Sequence, residues 1–358
     1  MSAAQKAFSG TCEVVAQEMF DVARLESWLH EYLIGFRGPL RVERFKGGQS
    51  NPTFLLQSDN KRWVLRRKPP GALLSSAHAV EREYRVIRAL ADTDVPVARA
   101  HALCEDPSVI GSNFYVMDYV DGRIYWDPHL PECEPAERAA LFDEMNRVIA
   151  ALHRIDPASL DLGGYGKPSA YIERQIARWT RQYRASETER IDAMERLIDW
   201  LPQHLPAEGA HRIIHGDYRI DNVIFHPTEP QILAVLDWEL STLGDPIADF
   251  AYHCMNWRLS PRGSRGLAGV DLAGLGIPNE ASYVQKYFDR VGRPLPDASA
   301  WTYYLVFNMF RLVGILQGVA ARALQGNASS VHAAETGRRA RPLAEQAWAL
   351  AQSQASIR

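Results

Sequence analysis

Cysteine is scarce in this chain of 358 residues: Cys12, Cys104, Cys133 and Cys254 lie far apart and form no C-x-x-C pair. That spacing argues against a zinc knuckle and a disulfide framework, and it suits a reducing, cytoplasmic setting. Excess positive charge is also missing. With 40 Lys plus Arg against 43 Asp plus Glu, a net of -3, no overall basic field exists to hold nucleic acid by counterion release. The first 30 residues carry Glu13, Glu18, Asp21 and Glu26 where a secretory signal would have a basic start and an apolar run. Long uncharged apolar runs are absent too. The most apolar late stretch, Leu305 to Ala320, contains Asn308, Arg311 and Gln317 and reads as a buried helix, because a spanning helix needs about 20 nearly uncharged residues. Nucleic acid and membrane are therefore not expected as partners. No internal repeat or low-complexity run is visible, and the oligomeric state is not legible.

What is present is the balance of a globular protein, 46% hydrophobic and 23% charged. Residues 1–37 form a leading helical segment, since Val22, Leu25, Trp28, Leu29 and Leu33 recur at helical spacing. From Leu40 the texture changes to short apolar runs between turns: Leu40 to Phe45, Thr53 to Gln57, Trp63 to Arg67 and Asn113 to Tyr119. One helical stretch, His78 to Leu90, interrupts these strand candidates, so residues 38–120 read as a small α+β lobe. Residues 121–358 are mostly helical, with helices expected at Pro135 to Arg154, Ala170 to Tyr183, Glu187 to Leu201, Ser282 to Val291 and Trp301 to Leu324. Two short strands, Asn222 to Phe225 and Ile232 to Leu236, interrupt them, and the glycine-rich stretch from Leu259 to Pro278 reads as a loop.

The sharpest segment is IIHGDYRIDNVIF, residues 213–225, followed by ILAVLDWE from Ile232 to Glu239. It sets Asp217, Asn222 and Asp237 at the ends of apolar runs. Phosphoryl transfer from ATP needs this inventory: an acceptor for the substrate hydroxyl proton, and oxygen ligands that hold Mg²⁺ against the phosphates. The Asp-x-x-x-x-Asn spacing is that of a kinase catalytic loop, with a metal-binding Asp one hairpin later. Asp217 takes the base role, and Asn222 with Asp237 the metal. Taken singly, each also suits a turn or a helix cap; the ordered set of three is what points to chemistry. His215 reads either as a structural brace of the loop or as a satisfied core residue, in neither case catalytic.

His215-Gly216-Asp217-x-x-x-Asp221-Asn222, Leu236-Asp237-Trp238-Glu239 and Gly244-Asp245-Pro246-x-x-Asp249 resemble the aminoglycoside and choline phosphotransferase family. Within it, the kinase-like domain that animals carry fused ahead of an acyl-CoA dehydrogenase is most similar. The resemblance covers roughly residues 40–325. It implies a protein-kinase-like bilobal fold, with a small antiparallel-sheet N-lobe that binds nucleotide (38–120) and a larger, mainly helical C-lobe for catalysis and substrate binding (121–358). It also implies ATP, magnesium, a catalytic Asp217, and Asn222 and Asp237 as metal ligands.

Other residues take roles from this frame. Gly47, Gly48, Ser50 and Asn51 lie in a turn between two strands that could fold over phosphates. Arg66 stands where the family usually has its phosphate-pairing Lys. Strand alternation sets Val64 and Arg66 on one face and Trp63, Leu65 and Arg67 on the other; Arg66 is taken over Arg67 or Lys68, with Glu83 on the following helix as its ion-pair partner and Glu81 as the rival. Backbone groups at Asp118 and Val120, past Met117, would read the adenine. Only 12 positions separate Asp237 from Asp249, which leaves no room for an activation loop and disfavours a regulated protein kinase.

The acceptor is expected to be a hydroxyl of a small molecule. Residues 251–358 carry 12 Lys plus Arg against 6 Asp plus Glu, whereas residues 1–250 carry 28 against 37. A basic C-terminal third suits an anionic acceptor such as a hydroxyacyl-CoA or hydroxy acid better than a cationic aminoglycoside or choline. Arg258, Arg262, Arg265 and Arg311 are the candidate contacts. The alternative from another class is a nucleotide-binding pseudokinase serving as an interaction module; intact base and metal positions disfavour it.

Overall fold

The computed structural model describes residues 9–47, 51–59, 61–69, 79–167, 169–261, 266–325 and 333–355. Two compact units are interleaved along the chain rather than meeting at residue 120. One comprises residues 1–148, 160–162 and 219–241; the other comprises 149–159, 163–218 and 242–358. The chain therefore changes unit between Tyr218 and Arg219, inside the sharpest motif.

The first unit is built on a six-stranded antiparallel sheet. Its strands are β1 (Thr11–Cys12), β2 (Arg41–Phe45), β3 (Thr53–Gln57), β4 (Arg62–Arg67), β5 (Ala100–Cys104) and β6 (Phe114–Asp118), in the order β1-β2-β3-β4-β6-β5. Helix α1 (Val22–Tyr32), capped by Asp21 accepting from the Arg24 N–H, lays Leu25 and Leu29 against one sheet face. That face consists of alternate residues: Phe54 and Leu56, Trp63 and Leu65, Phe114 and Val116. The period of two sends Val64, Arg66 and Tyr115 to the opposite face, and Arg66 is paired across the strands with Tyr115. Arg67 instead falls on the α1 face, where it is buried, donates to the carbonyls of Ile110 and Glu18, and lies over the rings of Phe20 and Phe54.

Helix α2 (Val80–Leu90) buries Val80, Glu83, Val86, Ile87 and Leu90. His78, expected at its start, lies outside the described residues. A hairpin of Val223–Phe225 with Ile232–Val235 completes this unit. Strands β1 and β5 were not expected.

Helix α3 (Pro135–Arg154) leads from the first unit into the second. The second unit contains α4 (Tyr171–Ala185), α5 (Asp192–Trp200), α6 (Pro246–Cys254), α7 (Glu280–Val291), α8 (Ala298–Leu324) and α9 (Ala340–Ala355), with a short antiparallel pair, Arg212–Ile214 and Thr242–Gly244. By length and composition α8 could cross a membrane. Here it is the central core helix, packed against α4, α6 and α9. Its polar interruptions are buried and used: Asn308 donates to the Ala248 carbonyl and Gln317 to the Thr188 hydroxyl. The starts of α6 and α8 are fixed by Asp245 and Asp297, whose carboxylates accept from backbone N–H groups of the first turn. Helices α6 and α9 were not expected either.

Candidate active site

In the first unit, polar chemistry gathers on the sheet face opposite α1. The Arg66 guanidinium is buried, lies 2.8 Å from Glu83 through Nε, and is ion-paired through Nη2 with Asp237; Glu239 lies 3.9 Å away. Asn51 donates to the second oxygen of Glu83 at 2.8 Å, and the Tyr115 hydroxyl donates to the first at 3.3 Å. Burial alone would lower the Arg66 pKa, but Glu83 and Asp237 together raise it, so the cation is permanent. Burial pushes the Glu83 carboxyl up, and the nearby Asp237 charge adds to this against the pull of Arg66. One guanidinium thus serves three carboxylates.

Asn51, expected to touch nucleotide, donates its side-chain N–H to Glu83. Glu81 pairs with Lys68 at 2.6 Å and accepts from Asn113, which separates it from Arg66. The hairpin explains how Asn222 and Asp237 come together in this unit: Val223 registers with Val235, and the Leu236 N–H donates to the Asn222 carbonyl at 2.8 Å. Asp237 itself has a φ of 62°, a left-handed conformation that Asp tolerates better than most residues.

Asp118 spends its N–H on the Arg99 carbonyl at 2.9 Å, and its carboxylate is hydrogen-bonded with His101 and ion-paired with Lys61. Gly47 lies in the bend after β2, and Val120 follows β6. Gly48 and Ser50 lie outside the described residues.

The second unit fixes the segment that carries Asp217. Asp249, on α6, accepts from the backbone N–H groups of His215 and Gly216, each at 2.8 Å, and is hydrogen-bonded with His153 at 3.1 Å. Burial would raise the Asp249 pKa; His153 and the loop N–H groups outweigh it and hold the carboxyl below its usual range. His215 accepts the Asp217 N–H on Nδ1 at 3.2 Å, the bracing one of the two roles expected of it. Gly216 has a φ of 85°, which a side chain would strain, and this accounts for glycine at the position. The Tyr252 hydroxyl donates to Oδ1 of Asp217 at 2.7 Å.

Two of the arginines expected to meet an acceptor are committed to protein groups. Arg258 pairs with Glu280 at 2.5 Å. Arg311 is buried and donates to the Gly216 carbonyl at 2.6 Å. Arg262 and Arg265 lie outside the described residues. The motif reading missed Tyr252, whose signal was a tyrosine one helical turn after Asp249 on the same face.

The family profile described as "Phosphotransferase enzyme family" matches residues 41–283. This chain belongs to that family. It has the kinase-like fold of aminoglycoside phosphotransferases. A crystal structure of a "putative aminoglycoside phosphotransferase" from Ralstonia eutropha is 56% identical, covers 94% of this chain and 99% of its own, and superposes with a TM-score of 0.86. A spectinomycin phosphotransferase solved with ADP and spectinomycin shares the fold at 13% identity, with coverage of 93% and 99% and a TM-score of 0.62. Among curated proteins, mouse acyl-CoA dehydrogenase family member 10 is 47% identical over 89% of this chain and human family member 11 is 39% identical over 94%. The chain spans only 30% and 44% of those two proteins. It is an enzyme of the phosphotransferase class.

Proposed function

We propose that this phosphotransferase moves the γ-phosphate of ATP, with Mg²⁺, to a hydroxyl of a small anionic metabolite of the hydroxyacyl-CoA or hydroxy-acid class. The observation that carries the nucleotide part is the buried Arg66 guanidinium held between Glu83 and Asp237. Such a fork suits two-pronged contact with phosphate oxygens.

The donors also fit magnesium. Among the described residues no group of three or more His, Cys, Asp or Glu could cage a metal, and Mg²⁺ is ordinarily held by one or two carboxylates plus phosphates. Asp237 and the Asn222 carboxamide supply hard oxygens, and the surplus of carboxylates around Arg66 calls for further positive charge. Bound there, the ion would neutralise charge on the β- and γ-phosphates. Asp217 accepts the proton of the acceptor hydroxyl as that oxygen bonds to the γ-phosphorus and the bond to the β-phosphate oxygen breaks, leaving ADP. The carbonyl of Asp118 and the backbone of Val120 contact the adenine.

Support for a hydroxyacyl-CoA comes from the relatives that bear acyl-CoA dehydrogenase names and from the basic C-terminal third. The test is a γ-phosphate transfer screen against hydroxyacyl-CoAs, hydroxy acids, aminoglycosides and choline. An anionic acceptor should be preferred, and Asp217→Asn should lower turnover by about 10² to 10⁴ while Mg·ATP affinity stays within about twofold. Preference for an aminoglycoside or choline would overturn the acceptor class; unchanged turnover in Asp217→Asn would overturn the base.

A further inference from the structure

Three contacts in the second unit hold Gly216 and Asp217 beyond anything the phosphoryl-transfer scheme requires. Asp249 and Tyr252 lie three residues apart on α6 and so share a face. Asp249 takes the N–H of Gly216, and Tyr252 reaches the next side chain, donating to Oδ1 of Asp217 at 2.7 Å. From α8 comes Arg311, whose guanidinium carbon lies 4.8 Å from the centroid of the Tyr252 ring and 5.7 Å from that of Trp179, while Nη2 donates to the Gly216 carbonyl at 2.6 Å. Both polar groups of the Gly216 backbone are thereby tied down. The carboxylate that follows is tied to a phenol whose own ring is seated on a buried cation. A carboxylate at the end of a loop can turn about two torsions, and proton acceptance in the transition state requires one orientation.

We propose that Tyr252 is a positioning residue that sets the orientation of the Asp217 carboxylate, with Arg311 as its seat. The inference rests on the reading of Asp217 as the base. Burial of Tyr252, 6% exposed, would serve packing alone just as well without the hydroxyl, so Tyr252→Phe isolates the proposed role. It keeps the ring on Arg311 and removes the hydrogen bond to Asp217.

Two measurements test it. In crystals of the Tyr252→Phe protein the Asp217 carboxylate should rotate or split into more than one conformer; a single conformer identical to the parent's overturns the proposal, whatever the acceptor is. In transfer from ATP to a mixture of hydroxyacyl-CoAs differing in the position of the hydroxyl, Tyr252→Phe should lower kcat about 10- to 100-fold, the range expected for a hydrogen bond to a charged group, with KM for ATP and the melting temperature nearly unchanged. The same substitution in an Asp217→Asn background should lower kcat no further. An equal loss in both backgrounds would show that Tyr252 acts elsewhere and overturns the proposal. Parent-like turnover in Asp217→Asn alone would instead overturn the reading of the base, and the positioning role with it.

Discussion

Two buried arginines, one in each unit, are used in opposite ways. Arg66 sits among three carboxylates, Glu83, Asp237 and Glu239. Arg311 has no carboxylate partner among the described residues; it contacts a backbone carbonyl and two aromatic faces. The first is an electrostatic hub whose removal strands like charges together. The second is a fastener whose removal strands a single carbonyl. Burial and residue type are the same, so the difference in cost lies in what each leaves behind.

The largest expected effect is therefore at Arg66. Arg66→Ala leaves Glu83 buried beside Asp237 with no cation, and breaking a buried pair in this way costs about 3 to 5 kcal/mol. Urea unfolding should show that loss, together with weakened Mg·ATP binding. Arg66→Lys should recover part of the stability, because an ammonium can meet one carboxylate but cannot fork across two. A stability loss under about 1 kcal/mol for Arg66→Ala would mean that the carboxylates find other partners, and the contrast would collapse.

The units should also respond to acid in opposite senses. His253, buried on α6 and hydrogen-bonded with Tyr283, has its pKa lowered by burial to about 4. An unfolded histidine takes up its proton near the usual 6.5. Between those values the unfolded chain binds more protons, so this group's contribution is whole above pH 6.5 and is lost on acidification, by roughly 3 kcal/mol at pH 4. Glu83 runs the other way: its folded pKa is raised, so the unfolded chain releases the proton first and stability falls as pH rises above about 4.5. Stability measured from pH 4 to 7 should rise less steeply in His253→Asn than in the parent, and more steeply in Glu83→Gln. Parallel profiles for parent and His253→Asn would show that the histidine titrates normally.

Arg311→Met should be milder in stability than Arg66→Ala, about 1 to 3 kcal/mol, the cost of a buried acceptor left without its donor. The methionine can fill the space over the Tyr252 and Trp179 rings without leaving a charge behind. A loss as large as that at Arg66 would indicate that Arg311 carries more than the Gly216 carbonyl.

How much of this could be read in advance follows from the range of the forces. Strand alternation put Arg66, not Arg67, on the face of Glu83, because side-chain period is a local property; β3 fell at Thr53–Gln57 as expected. Helix α3 likewise fell at Pro135–Arg154, its apolar spacing being unbroken. Strand β5 escaped because Ala100–Cys104, AHALC, has no β-branched or aromatic residue apart from the imidazole of His101, and its strand character comes from pairing with β6. The contact of the Asn51 side chain was not legible because its partner Glu83 is 32 positions away. The seat of Tyr252 was invisible for the same reason: Arg311 read as a charge interrupting an apolar helix and as a candidate acceptor contact, not as a partner of α6.

The smallest expected effect uses a third arginine, at the surface. Arg184 makes two hydrogen bonds of 2.5 Å to Glu195, a forked geometry, yet its side chain is 42% exposed. Water already solvates both charges, so forming the pair gains little over leaving them apart, and holding two long side chains in one arrangement costs entropy. Arg184→Ala should therefore lower stability by no more than about 1 kcal/mol, and the loss should shrink when salt is raised toward 1 M, where the Debye length falls to about 3 Å. At Arg66 the corresponding loss should barely respond to salt, because ions cannot enter a site whose side chain is 9% exposed. If the two losses were equal, or equally sensitive to salt, burial would not be what separates these arginines, and the cost at Arg66 would have to come from lost packing along its stem.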